Sequence, residues 1–164
     1  MLLVTTTHYN GVRQMTMRPI LLIEDNPDDE VLTLRALRKN NITSEVTVAH
    51  DGVEALGYLF GTGAPTDVET CTMPRLVLLD LKLPKVDGLE VLRRIRKDER
   101  TKLLPVVVFT SSNEEQDIID CHLLGANSYI RKPVDFNQLS EAIRLIGTYW
   151  LTLNITPKLP PSAK

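Results

Sequence analysis

The chain has 164 residues, of which 43% are hydrophobic and 24% charged, and it carries a formal net charge of −2. That length suits one domain with a sizeable core, and the slightly acidic balance argues against a surface built for nucleic acid. Cys71 and Cys121 are too few for a disulfide framework, no Cys/His spacing matches zinc, and no apolar run or basic leader points to a membrane span or signal peptide, so a cytoplasmic protein is expected.

Residues 1–17 are polar and aperiodic and read as a disordered extension. Residues 18–154 are assigned to one domain, because short apolar runs alternate there with amphipathic segments. Ile20–Ile23 forms a first strand. Asn26 then offers an N-cap and Pro27 a first helical position, with Asp28, Asp29 and Glu30 set against the helix dipole. That helix carries Val31, Leu34 and Leu37 and ends near Asn40–Asn41. A second strand is expected over Glu45–Ala49, a short helix over Gly52–Phe60, and a loop over 61–74. Leu76–Asp80 is a third strand, apolar enough to be buried on both faces, as strands of parallel sheets are. Leu89, Val91, Leu92 and Ile95 mark a third helix, Pro105–Thr110 a fourth strand, and Glu114–Leu124 a fourth helix stopped by Gly125. Ser128–Arg131 is a fifth strand. Asp135–Leu153 is the last helix, with Asp135 and Gln138 spaced as a capping box. Residues 155–164 look like a mobile tail. This alternation calls for a doubly wound α/β fold with a five-stranded parallel sheet, five helices and right-handed crossovers.

In open parallel sheets, ligands sit beyond the carboxyl ends of the strands. Strand one ends in Glu24–Asp25 and strand three in Asp80. If those strands are neighbours, three carboxylates converge. Like charges that close raise each other's pKa unless a cation neutralises them, and oxygen-only ligands suit a hard cation such as Mg²⁺. Strand four ends in the hydroxyl run Thr110–Ser111–Ser112, and strand five is followed by Lys132, a compact positive charge. Each feature alone has an ordinary explanation, a helix cap or a solvated charge. Their placement at the ends of four compatible strands makes coincidence a poor account.

These residues resemble the receiver domain of two-component response regulators. The resemblance rests on Ile23-Glu24-Asp25, on Leu79-Asp80-Leu81-Lys82-Leu83-Pro84 with Asp87-Gly88, on Phe109-Thr110-Ser111 and on Lys132-Pro133, and it covers about residues 18–150. It implies a flavodoxin-like sheet of order 2-1-3-4-5. It implies that Asp80 accepts a phosphoryl group from a phosphohistidine on a sensor histidine kinase. Glu24, Asp25 and Asp80 would hold Mg²⁺, with the backbone carbonyl of Lys82 as a further ligand. Thr110 would be the switch hydroxyl, Lys132 the phosphate-pairing cation, Tyr129 a rotating aromatic switch, and Lys132–Pro133 a cis peptide. After transfer, Thr110 would move to bond the phosphoryl group and Tyr129 would fill the space it leaves. The chemistry would be limited to Mg²⁺-dependent self-phosphorylation and autodephosphorylation.

Other phosphate-handling classes on similar sheets fit poorly. No GxxxxGK[ST] loop is present, and Glu24–Asp25 would repel a bare phosphate after strand one. A haloacid-dehalogenase-type phosphatase needs an aspartate where Lys82 stands.

Output is expected through protein contact, since no room remains for a DNA-binding domain. The basic run Arg93–Lys97 is expected to be a solvated face of the third helix. Phe136, Leu139, Ile143, Ile146, Trp150 and Leu153 form one apolar stripe on the last helix, whereas Leu145, Tyr149 and Leu151 fall off it. An exposed patch around Tyr149, Trp150 and Leu151 is expected to bind a second copy. The loop before strand three and the Tyr-Trp-Leu run are similar to those of stand-alone regulators of cyanobacterial and bacterial phytochromes, which implies a homodimer. A phosphorelay intermediate that hands phosphate to a histidine phosphotransfer protein is the alternative role.

Overall fold

The computed structural model describes residues 18–61 and 72–157. The expected extension over 1–17, most of the loop over 61–74 with Cys71, and the end of the expected tail lie outside the described residues. Five strands alternate with five helices: β1 (Ile20–Ile23), α1 (Pro27–Lys39), β2 (Val46–Ala49), α2 (Gly52–Phe60), β3 (Leu76–Leu79), α3 (Gly88–Lys97), β4 (Val106–Thr110), α4 (Glu115–Leu123), β5 (Ser128–Arg131) and α5 (Phe136–Ile146). All strand pairings are parallel, in the order β2-β1-β3-β4-β5. Among the described residues, no helix is long and apolar enough to cross a membrane.

Burial explains the strand sequences. The central strands β1, β3 and β4 are buried at every position, as their unbroken apolar runs require, while the edge strands β2 and β5 are half-exposed. Alternate residues feed two cores. Leu21, Ile23, Val77, Leu79, Val106 and Val108 face α2, α3 and α4. Ile20, Leu22, Leu76, Leu78, Val107 and Phe109 face α1 and α5.

Helix starts follow their local chemistry. Asn26 Oδ1 accepts from the amides of Asp28 and Asp29, and Pro27 occupies the first turn. Asp51, Asp87 and Asp135 cap α2, α3 and α5 in the same way. The Asp135 cap takes the Gln138 amide at 3.0 Å.

Three expectations are corrected. The Lys132–Pro133 bond is trans, since no cis peptide occurs among the described residues. Arg96 is not a solvated charge: it donates to the carbonyls of Gly125 and Leu104 and to Asn127 Oδ1. It thereby joins the end of α3 to the turns flanking α4 and β4. The last helix also changes winding. It is α-helical to Ile146 and π-helical over Gly147–Leu153. A π turn closes i→i+5 rather than i→i+4, so each turn holds an extra residue and the facing set rotates. Leu151, off the α-helical stripe, now packs against the α1–α5 core beside Trp150, whereas Leu153 is 66% exposed. Of the expected patch, only Tyr149 is exposed; it meets the Trp150 ring edge-on at 4.9 Å.

Candidate functional site

Register builds the site. Ile23 pairs with Leu79, which sets Glu24 beside Asp80 at the carboxyl edge of adjacent strands. The Asp80 amide still donates to the Ile23 carbonyl, so the ladder holds this carboxylate one residue past its end. On the other side β4 ends at Thr110, whose carbonyl accepts from the Lys132 amide at 2.8 Å. Gly88 completes the wall: a Cβ there would lie 2.3 Å from the Asp80 carbonyl oxygen. Only a glycine lets α3 start so close to the loop after β3.

Oxygen atoms of Glu24, Asp25 and Asp80 lie within 4.8 Å of one another. Glu24 and Asp80 are buried and Asp25 is exposed, so the cluster opens to solvent on one side. Asp80 Oδ1 accepts from the Thr110 hydroxyl at 2.6 Å, from the Leu81 amide at 2.6 Å and from the Lys82 amide at 3.4 Å. Lys132 Nζ reaches Asp80 Oδ2 at 2.9 Å, Asp29 Oδ2 at 3.0 Å and Glu24 Oε2.

One ammonium thus serves three carboxylates. Burial pushes Glu24 up to about 7, with the Asp80 charge adding to the rise and Lys132 opposing it. Burial also acts to raise Asp80, but the Thr110 hydroxyl, Lys132 and the Leu81 amide outweigh it and hold Asp80 below the usual range. Lys132 is raised despite its burial, because Glu24 and Asp80 favour the ammonium form. The site therefore carries an ionised Asp80 and a charged Lys132, and Glu24 is the group whose charge is least well met. An all-oxygen set with one open side and one under-compensated acid fits a hard divalent cation.

The expected residues are largely brought together: Glu24, Asp25, Asp80, Thr110 and Lys132 share one site. Lys82 contributes its amide, while its side chain turns away to Asp117 Oδ2 at 3.3 Å and Glu114 Oε1 at 3.6 Å. Tyr129 stands apart from the carboxylates. Its half-buried ring packs on the α2–α4 core, and its hydroxyl donates to the Ser112 carbonyl at 3.1 Å. Tyr149, Trp150 and Leu151 belong to another part of the molecule. Two participants, Asp29 and Asp117, were not foreseen, and Ser112, expected only as part of the hydroxyl run after β4, joins them. Asp29 lies in the first turn of α1, where the sequence explains it by the helix dipole alone. Asp117 carries no such local signal.

Residues 20–144 match the family model described as the response regulator receiver domain. The chain belongs to that family. Among curated relatives, the probable methanogenesis regulatory protein FilR2 of Methanothrix harundinacea is 40% identical over 84% of this chain and 86% of its own length. The response regulator Rcp1 of Synechocystis is 37% identical over 80% of this chain and 88% of its own. Rcp1 has also been solved in a Mn²⁺-bound form, which superposes with a TM-score of 0.75 at 34% identity, over 86% of this chain and 99% of that one. Among other solved structures, the phosphorylated cyanobacterial phytochrome response regulator RcpA superposes with a TM-score of 0.79 at 38% identity, over 86% of this chain and 99% of that one. The bacteriophytochrome response regulator AtBRR gives 0.68 at 51% identity, over 85% and 99%. This receiver domain is thus a relative of phytochrome response regulators, and its acidic cluster occupies the edge where receivers hold Mg²⁺ or Mn²⁺.

Proposed function

We propose that this receiver accepts a phosphoryl group on Asp80 from the phosphohistidine of a sensor histidine kinase and signals by protein contact. The observation that carries the reading is the setting of Asp80: an ionised carboxylate bonded to Thr110 and Lys132 and flanked by Glu24 and Asp25. A carboxylate is a weak nucleophile, so the reaction needs a high-energy donor and strong charge compensation. An Asp80 carboxylate oxygen attacks phosphorus, the P–N bond breaks, and the imidazole leaves with that electron pair. Lys132 is placed to follow the charge from Asp80 onto the phosphoryl oxygens. The Thr110 hydroxyl already points at Asp80 and would donate to the new group. Glu24, Asp25 and Asp80 would hold Mg²⁺, with the Lys82 carbonyl as a further ligand; the ion supplies positive charge to the transferring oxygens. Tyr129 would report the change through its bond to Ser112. The chain's chemistry would be limited to its own phosphorylation and dephosphorylation.

Incubation with acetyl phosphate and Mg²⁺ tests the assignment. Mass spectrometry should find one added phosphoryl group on the wild type and none on Asp80→Asn. Undiminished labelling of that variant would sink the assignment. The kinship with RcpA, Rcp1 and AtBRR supports a phytochrome-type kinase as donor, which phosphotransfer from a panel of purified kinases would check.

The receiver is also inferred to form a homodimer. Leu145, Tyr149 and Leu153 are 54%, 51% and 66% exposed near the end of the last helix, more apolar surface than a helix end needs if it stands alone. Sedimentation at tens of micromolar (roughly the range for a modest interface) should show a dimer that Tyr149→Ala weakens. A monomeric wild type would refute it.

A further inference from the structure

We propose that Asp29 is a positioning residue for Lys132: it is the seat that keeps the ammonium paired when Glu24 and Asp80 turn their oxygens to a divalent cation. That role rests on reading Glu24, Asp25 and Asp80 as the metal site, whereas the hold of Asp29 on Lys132 stands on geometry alone.

All of the ammonium's donors are in use. It has three N–H groups to give. Asp80 Oδ2 accepts one at 2.9 Å, Asp29 Oδ2 accepts another at 3.0 Å, and Glu24 Oε2 takes the third. Two of these acceptors, Glu24 and Asp80, belong to the oxygen cluster that fits a cation. Ammonium and cation therefore draw on the same oxygens. Lys132 cannot answer that loss by swinging into water. Its side chain is only 7% exposed, and the Thr110 carbonyl holds its backbone amide at 2.8 Å. A buried ammonium stripped of its partners is strongly unfavourable. Asp29 stands outside the cation cluster, and its side chain is 35% exposed, so it can stay paired with Lys132 while the deeper carboxylates change partners.

The turn after β1 builds this seat. Glu24 Oε1 accepts from the Asn26 amide at 3.1 Å, and Asn26 Oδ1 accepts from the Asp29 amide at 3.2 Å. These two bonds set the place of Asp29 relative to Glu24. The ordinary account of Asp29 is an acid set against the helix dipole. Asp28 and Glu30 serve that purpose in the same turn. Of the three acids, only Asp29 bonds Lys132, while Glu30 turns to His50 at 3.1 Å. The dipole explains an acid in this turn; it does not explain which one meets the ammonium.

Mn²⁺ binding to the full chain, read from the loss of the free-ion EPR signal, tests the seat. In about 0.5 M KCl the screening length is only about 4 Å, so a carboxylate acts mainly on what it touches. Asp29→Ala should weaken Mn²⁺ binding roughly 3- to 10-fold, although Asp29 is no ligand. Lys132→Met should bind Mn²⁺ more tightly than the wild type, and adding Asp29→Ala to it should change that affinity by less than about twofold. An equal loss in both backgrounds would overturn the proposal, because Asp29 would then act on the cation directly. Lys132→Met leaves two buried acids unpaired and can fail to fold, so the Lys132 ¹H–¹⁵Nζ signal supplies a second reading with the lysine intact. Mg²⁺ should shift that signal in the wild type and leave it visible. In Asp29→Ala the same Mg²⁺ should broaden it away by exchange with water, and a signal that survives there also overturns the proposal. If the wild type binds neither ion, the metal reading fails by itself. The metal-free Nζ protons then decide the hold of Asp29 on Lys132: they should exchange roughly 3- to 10-fold faster in Asp29→Ala, and unchanged exchange refutes it.

Discussion

Helices α3 and α4 lie side by side on one face of the sheet, and different forces hold them. α3 buries Val91, Leu92 and Ile95 in the core, and Arg96 binds its end to neighbouring carbonyls. α4 buries Cys121 alone, and Asp117 in its first turn bonds the Ser112 hydroxyl and pairs with Lys82. Burial is insensitive to what happens at Asp80. Hydrogen bonds that begin at Thr110 are not.

Core truncation should separate the two helices most sharply. Leu92→Ala is expected to cost about 2–5 kcal/mol in denaturant unfolding, as a fully buried leucine usually does, whereas Cys121→Ala should cost only about 1 kcal/mol. Equal losses would mean that α4 is anchored by its core after all. Titration offers a second, smaller contrast, because the polar edge depends on pH and the α3 face does not. The folded pKa of Glu24 is about 7, above its ordinary 4.5. Its contribution to stability is therefore fully present below about 4.5 and is lost as pH rises through about 7. A divalent cation that takes the place of the proton should restore it. Mg²⁺ should thus raise the melting temperature more at pH 8 than at pH 5.5, by roughly 3 °C. An equal gain at both pH values would count against Glu24 as the under-compensated acid. The smallest effect concerns the end of α5. Leu151→Ala should cost roughly 1 kcal/mol and Leu153→Ala less than about 0.5 kcal/mol, the reverse of what α-helical spacing implies.

Much of the molecule was legible beforehand for local reasons. The unbroken apolar runs of β1, β3 and β4 announce strands buried on both faces, and Asn26, Asp87 and Asp135 announce helix starts. Glu24, Asp25, Asp80, Thr110 and Lys132 stood out because ionised or hydroxyl groups ended such strands. Asp117 did not, since its pairing with Lys82 is set by packing across the sheet edge rather than by spacing along the chain. The change of winding after Ile146 was hidden for another reason. The apolar residues of Gly147–Leu153 fit an α-helical stripe nearly as well as a π-helical one. The choice falls to contacts such as Gly147 against Ile42 and the Leu151 carbonyl on Arg75.

By itself, the sequence determined the alternation of elements, the doubly wound class and the acids, hydroxyl and lysine that line one edge. It could do so because burial, capping and strand period are short-range and leave their mark residue by residue. Tertiary structure decided what those groups do to one another. The register of β1 on β3 sets Glu24 against Asp80, the reach of Lys132 adds Asp29 to its partners, and the β4–α4 turn makes Ser112 a bridge between Thr110 and Asp117. Those outcomes depend on distances between residues far apart in the chain, which only the packed sheet and its helices specify.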